Sequence, residues 1–365
     1  MEKQALSAAI DAKVGEVRSE ALDISYGELL SLHANREVVI HPDYQRLFRW
    51  SDEQRSRLVE SILLELPIPQ IFLIENDDGV LELIDGLQRT SSVIQFIDAS
   101  KLEDLEPLIL TGCDLVPELN ECSFADLPLV LQLKLKRSSV RAVIIKRQSR
   151  SFLRYEMFKR LNTGGDSLSP QEIRNCSSRM VGEKGIRFYA FLQECAQSAC
   201  FLSTTETLSQ GDLEKKGDEE LVLRYLALKN GRHLFRGSVR DWLDAYMEQV
   251  LLGESQFAYE EEKARFVEIF SYLERTMGRG AFVKYRDGQP IGALAPAYFE
   301  AVTMGVLSLL PRLDTVAAET VRQSIICAVQ SQAFREDTGP GANSRTKLDG
   351  RIETICRAIE VTIRA

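Results

Sequence analysis

Histidine is almost missing from this chain: there are three, at positions 33, 41 and 233, far apart in sequence. That scarcity argues against a His-rich zinc site and against an HNH-type nuclease module, both of which need imidazoles gathered together. A GxxxxGK[ST] phosphate loop, a GxSxG nucleophile elbow and a paired Cys/His signature are also absent. No convincing D…ExK arrangement for a metal-dependent endonuclease is present either. The seven cysteines are odd in number and contain no CxxC pair, Cys195 and Cys200 lying closest, which fits a reduced interior. No apolar run reaches the length of a bilayer crossing, and MEKQALSAAIDAKVGEV has no signal-peptide apolar segment. A cytoplasmic protein without membrane association is expected. The net charge of −9 argues against coating nucleic acid over the whole surface but leaves room for a local basic face.

What is present is ordinary for a globular protein: 365 residues, 44% hydrophobic and 27% charged, enough for a sizeable core and two domains. REVVIH (36–41) reads as a short strand, and a helix follows in which Leu58, Ile62, Leu63 and Leu66 share a face, with Ser51 or Asp52 as N-cap. Pro67 and Pro69 stop it. IFLIE (71–75) and LELID (81–85) are two strands joined through Asp78-Gly79, a hairpin signal. Residues 100–125 read as irregular surface, Leu127–Leu135 as a short helix, VRAVIIK (140–146) as a strand and residues 149–162 as a helix. Beyond Ser169 the pattern is helical almost throughout, with polar breaks at 203–218 and 335–349 and a clear last helix through Ile352, Ile355, Ile359 and Ile363. The expected class is α+β, with an α/β domain over 1–168 and an α-helical domain over 169–365.

The junction LELIDGLQRTSSVIQFI carries the densest chemistry. An acid at a strand's end, a glycine and a helix start can aim backbone N–H groups at an anion, and the helix dipole adds positive potential there. Arg89 suits a two-pronged bond to phosphate. Thr90 adds a hydroxyl, and Gln88 both donates and accepts. Asp85 has three open roles: holding a divalent ion, orienting Arg89 or positioning a water. The plainer alternative makes Asp85 an N-cap and Gly86 a turn residue.

Four other stretches stand beside it. Tyr44, Gln45 and Arg46, with Arg49 and Trp50, place arginines and aromatics ahead of a helix; the alternative is a structural corner. In FKRLNTGGDSLSPQEIRN, Ser169, Pro170 and Glu172 form a helix start, and Asn162 with Gly164 and Gly165 offers backbone that a ligand can approach. Residues 134–160 hold Lys134, Lys136, Arg137, Arg141, Lys146, Arg147, Arg150, Arg154, Lys159 and Arg160 against the single acid Glu156, suited either to phosphate backbone or to a solvated face. TGPGANSR (338–345) is either an anion cradle or a connector.

Taken together, PDYQRLFRW, SILLELPIPQIFL, ELIDGLQRTSSVIQF and FKRLNTGGDSLSPQEIRN resemble, in order and spacing, the N-terminal domain of GmrSD-type modification-dependent restriction systems, a relative of the ParB/sulfiredoxin fold. The resemblance covers about residues 25–180, with fainter likeness in GDEELVLRYLALKN, GAFVKYRDG and TGPGANSR. It implies a ParB-like α/β module in which a DGQQR signature binds and hydrolyses a nucleoside triphosphate (GTP, ATP or CTP, with Mg2+), coupled to foreign or modified DNA in bacterial antiviral defence. By position it assigns Asp85, Gly86, Gln88 and Arg89 to that signature, the first and last two as catalytic. Tyr44, Gln45, Arg46, Thr90, Asn162, Gly164 and Gly165 complete the expected nucleotide site, with Asp85 the metal ligand if one is used. Leu87 stands where the family usually has Gln. Lys146, Arg147, Arg150 and Arg154 are the expected DNA contacts, and a nuclease or helicase subunit is a possible partner. A ParB-like DNA-binding or nicking module and a non-catalytic subunit docking a nuclease are the rival readings.

Overall fold

The computed structural model describes residues 18–40, 50–76, 78–102, 105–147, 157, 169–179, 181–253, 256–313 and 315–364. The chain divides into two compact units, Met1–Ser167 and Leu168–Ala365. The class is α+β.

In the first unit, five strands form one sheet: β1 (Ser19–Ser25), β2 (Val38–Val39), β3 (Ile71–Glu75), β4 (Leu81–Asp85) and β5 (Ser139–Ile145), in the order β1-β5-β3-β4-β2. β3 lies in the middle, parallel to β5 and antiparallel to β4. Its residues Ile71 to Ile74 are all buried, which is why IFLI carries no polar alternation. Among the described residues, four helices share this unit's core with the sheet: α1 (Tyr26–Ala34), α2 (Asp52–Leu63), α3 (Leu87–Asp98) and α4 (Leu129–Arg137). The Ser51 hydroxyl accepts the Gln54 N–H while the Gln54 side chain accepts the Ser51 N–H, a reciprocal cap that fixes where α2 begins. Leu58, Ile62 and Leu63 enter the core as their spacing suggests. Leu66 does not: α2 stops at Leu63, Glu65 adopts a left-handed φ of 59°, and Leu66 is 43% exposed. The REVVIH strand shrinks to Val38–Val39.

The stretch 100–125 is irregular and only in part surface: Ile109 and Leu115 are exposed, but other residues of it are not. Leu108, Leu110, Cys113 and Leu119 are buried in the first unit's core. Helix side chains supply the hydrogen bonds that its irregular backbone needs. Glu60 Oε1 accepts the N–H groups of Leu115 at 3.0 Å and Val116 at 2.6 Å, and Ser56 Oγ accepts that of Thr111 at 2.9 Å.

The second unit is built from α5 (Pro170–Arg179), α6 (Glu183–Ala196), α7 (Ala199–Thr204), α8 (Gln210–Glu214), α9 (Gly217–Asn230), α10 (Val239–Leu252), α11 (Tyr259–Met277), α12 (Pro296–Leu309), α13 (Ala318–Gln330), α14 (Gln332–Thr338) and α15 (Arg345–Arg364). A hairpin of β6 (Lys284–Arg286) and β7 (Gln289–Ile291), which the helical pattern does not anticipate, interrupts them. Ser169 and Glu172 make the expected reciprocal cap on α5. The core is rich in edge-to-face aromatics, among them Phe201 with Phe270 at 4.9 Å and Phe282 with Phe299 at 4.9 Å. A chain of alternating charges is buried beside it. Arg174 binds Asp244 at 2.7 Å and Glu220 at 3.1 Å, Glu220 binds Arg224 at 3.0 Å, and Arg224 binds Glu300 at 2.8 Å, whose other oxygen meets Arg351.

Candidate functional site

The junction at 85–90 is set by three backbone features. First, the β3–β4 register shifts between Phe72 and Leu73, so that Phe72 faces Asp85 while Leu73 faces Leu83. Such a bulge re-aims the side chain beyond it, here Asp85. Second, Gly86 takes the left-handed φ of 94°. A Cβ at Gly86 would stand 2.5 Å from Ile71 Cγ2 and 3.2 Å from Arg89 Nη2, so only glycine fits between the central strand and the arginine. Third, α3 begins at once, with Gly86 as its N-cap and no side chain capping it. α1 and α2 are capped by Ser25 and Ser51, whereas α4, behind Pro128, starts without a side-chain cap as α3 does. An uncapped helix start keeps donor N–H groups and positive dipole potential for another acceptor.

Asp85 is therefore not the N-cap of α3. Its Oδ2 lies 3.2 Å from Arg89 Nη2, and the same nitrogen donates to the Gln70 carbonyl at 2.9 Å. Both side chains are partly open, Arg89 19% and Asp85 29% exposed. Arg89 Nε is buried without a hydrogen-bond partner. Gln88 faces the neighbouring chain segment: its Oε1 accepts the Trp50 N–H at 3.3 Å. Leu87 packs against the first unit's core. Thr90 is buried, and its hydroxyl, like that of Ser91, has no partner.

Tyr26 belongs to this group although its sequence position gives no hint of it. It opens α1, is 2% exposed, and its hydroxyl also lacks a partner. Burial pushes the phenol up to about 12, and the Arg89 guanidinium pulls it partly back. The junction thus gathers Tyr26, Arg89, Thr90 and Ser91, all with unspent polar atoms, around an uncapped helix start. Among the described residues no cluster of three or more His, Cys, Asp or Glu is placed to hold a metal ion, and Asp85 is engaged with Arg89.

The other expected residues fare differently. Tyr44, Gln45, Arg46, Asn162, Gly164, Gly165, Arg150 and Arg154 lie outside the described residues, as does the helix expected over 149–162 apart from Met157. In the basic stretch, Lys134 pairs with Glu65 at 2.9 Å, Arg141 with Asp23 at 3.3 Å and Lys146 with Glu20 at 2.8 Å. Bonding to Glu20 pushes the Lys146 ammonium above its ordinary range. The Arg147 N–H donates to Glu75 Oε2 at 3.4 Å. Much of this apparent excess of positive charge is met by acids of the same unit. TGPGANSR is no anion cradle, because it turns carbonyls toward cations. Lys347 Nζ donates to the carbonyls of Glu336 at 2.8 Å and Pro340 at 2.7 Å, and Arg351 Nη1 to that of Ala342 at 2.7 Å.

All seven cysteines are free, and among the described residues no helix is long and apolar enough to cross a membrane. Neither the curated proteins nor the solved structures contain a match to this chain. The model of one family, described as the GmrSD restriction endonuclease N-terminal domain, matches residues 26–178, a stretch that begins at Tyr26 and includes the DGLQR junction. Over residues 26–178 the chain is therefore similar to the N-terminal domain of GmrSD restriction endonucleases.

Proposed function

We propose that the junction at 85–90 binds the phosphates of a nucleoside triphosphate (GTP, ATP or CTP) and that this binding switches a DNA-directed restriction activity. The observation that carries the proposal is the uncapped start of α3 beside Arg89. Of the unspent polar groups there, Arg89 Nε is a donor only and the hydroxyls of Tyr26, Thr90 and Ser91 are able to donate, which suits an anion. Arg89 contacts phosphate through the guanidinium atoms that Asp85 and Gln70 leave over. Gln88 orients a phosphate oxygen or an attacking water, and Asp85 positions Arg89. A bound Mg2+ commonly uses one or two carboxylates plus phosphate oxygens, so Asp85 is the candidate ligand for it, in competition with Arg89. Hydrolysis serves as the switch, and a ParB-like ancestry of the module belongs to the same proposal. Leu87 takes no part, since its side chain is spent on packing.

DNA is the second ligand in this reading. In the first unit its contacts fall to Lys146, Arg147, Arg150 and Arg154. Exposed pairs such as Lys146 with Glu20 are weak and exchange readily for phosphate. A nuclease or helicase subunit is the proposed cutting or unwinding partner.

The test is calorimetric titration of the purified protein with GTP, ATP, CTP and UTP in magnesium, followed by phosphate release with and without DNA. Binding of one nucleotide that disappears in Arg89→Ala, with an unchanged melting profile, supports the proposal. No binding of any of the four leaves the junction a structural turn.

A further inference from the structure

The hairpin of the second unit presents an unmatched group of positive charge. Tyr285 at the centre of β6 points inward, buried, with its hydroxyl donating to the Gly280 carbonyl at 2.9 Å. Strand alternation then turns Lys284 and Arg286 outward, and both are exposed. Gln330 at the end of α13 donates to the Tyr285 carbonyl at 3.2 Å and pins the strand to the helix. The exposed Arg335 of α14 completes the rim. These side chains line a cleft of about 450 Å³, with Tyr298 in its wall and Ile291, 37% exposed, at its edge.

The neighbouring cations are spent. Arg224 and Arg351 are held by Glu300, Arg232 by Asp349, Lys229 by Glu262, and Lys347 by loop carbonyls. Lys284, Arg286 and Arg335, by contrast, form no ion pair or side-chain hydrogen bond among the described residues. The one acid lining the cleft is Asp287 at the hairpin turn. In a chain of net charge −9, three unpaired cations converging on one cleft repel each other and complement an external polyanion.

We propose that this cleft is a DNA phosphodiester-binding site of the helical unit, in which Lys284, Arg286 and Arg335 contact successive backbone phosphates. Ile291 offers an exposed apolar edge to the sugars between them. The site is open and carries no base-reading amide beyond Gln330, so it positions DNA without selecting sequence. It rests on the reading that DNA is a ligand of this protein but not on the triphosphate site, because none of its residues belongs to the first unit.

The experiment compares wild type with the variant Lys284→Glu, Arg286→Glu, Arg335→Glu by fluorescence anisotropy on a labelled DNA duplex over a range of salt. Each lost phosphate contact removes about 0.9 from the slope of log affinity against log salt, so the variant is expected to be shallower by about 2 to 3. The all-exposed substitutions should leave the melting profile unchanged, and the swap Lys284→Arg, Arg286→Lys, Arg335→Lys should keep the wild-type slope. Nucleotide binding at the Arg89 site is read in the same variant and is expected to persist, which separates this proposal from that one. Absence of DNA binding by wild type, or an unchanged slope in the reversed variant, overturns the assignment. Displacement of the duplex from wild type by an equal concentration of free nucleotide, lost in the reversed variant, also overturns it in favour of a mononucleotide site.

Discussion

Arg89 reaches back four residues from the first turn of α3 to Asp85 at the end of β4, Nη2 to Oδ2 at 3.2 Å, and the same nitrogen holds the Gln70 carbonyl at 2.9 Å. The arginine is thus anchored at one nitrogen by the end of β4 and by the residue that precedes β3. An anchored guanidinium loses less freedom when an anion arrives than a loose one does.

This geometry separates two roles for Asp85. If the carboxylate acts by orienting Arg89, then Asp85→Asn weakens nucleotide binding by about tenfold, or about 1.4 kcal/mol, and adds nothing to the loss in Arg89→Ala. If it holds a metal ion instead, the two losses add and the magnesium dependence of binding changes. A double-mutant cycle by calorimetry distinguishes them. The contact supports the first outcome.

Gly86→Ala should destabilise the first unit by about 1–3 kcal/mol. The left-handed φ of 94° strains any L side chain, and the new methyl would lie 2.5 Å from Ile71 Cγ2 on the central strand. In urea, the midpoint should fall with little change in slope. Gly79→Ala is a useful comparison, since its φ is 84° but nothing lies within 4 Å of the added carbon. A loss at Gly86 no larger than that at Gly79 would mean that the contact with Ile71 relaxes freely.

Which of these features the sequence discloses depends on how local they are. The β3–β4 hairpin is written in two apolar runs around Asp78-Gly79, and the α5 start in Ser169, Pro170 and Glu172; each is decided within a few residues. The β6–β7 hairpin has the same Asp-Gly signal at 287–288, but its strands are three residues each and give no alternating run to flank it. The burial of Leu108, Leu110, Cys113 and Leu119 is invisible because Glu60 and Ser56, about 55 positions before the segment they hold, satisfy backbone N–H groups there. In the junction, the residue types and the turn at Gly86 can be read in order. Tyr26 and the backward reach of Arg89 come only from tertiary packing. Glu220 and Arg224, spaced i to i+4, look like a solvated surface pair, yet they are links in a ladder through the helical unit.

Removing a partner from that ladder should be costly. Glu300 receives Arg224 on one oxygen and Arg351 on the other, with the Glu300, Arg224 and Arg351 side chains 3%, 9% and 2% exposed. Glu300→Ala leaves two guanidinium groups buried beside each other and should destabilise the helical unit by about 3–5 kcal/mol. Glu353→Ala breaks an exposed pair with Arg357 and should change stability by less than about 1 kcal/mol. Thermal melts of the two variants give the comparison. Equal shifts would show that the ladder contributes no more than a surface pair.

Thiol chemistry gives a pH-dependent check on both cores. Burial pushes the Cys195 thiol up to about 12 and the Cys113 thiol up to about 11, while Cys327 is exposed. A thiol with a raised folded-state value keeps its proton in the native protein after the unfolded chain has lost it. Stability from these groups is therefore complete below the ordinary value of 9.0 and is lost as pH climbs through 11 and then 12. At pH 8, iodoacetamide should label Cys327 first, and Cys113 and Cys195 only after denaturation. Mass spectrometry of the native protein reads this directly. Early labelling of Cys195 would mean that α6 opens far more readily than the burial of its own Phe188, Phe191 and Leu192 implies. Urea midpoints should fall between pH 9 and 11 in wild type and fall less in Cys113→Ala, whose side chain cannot ionise.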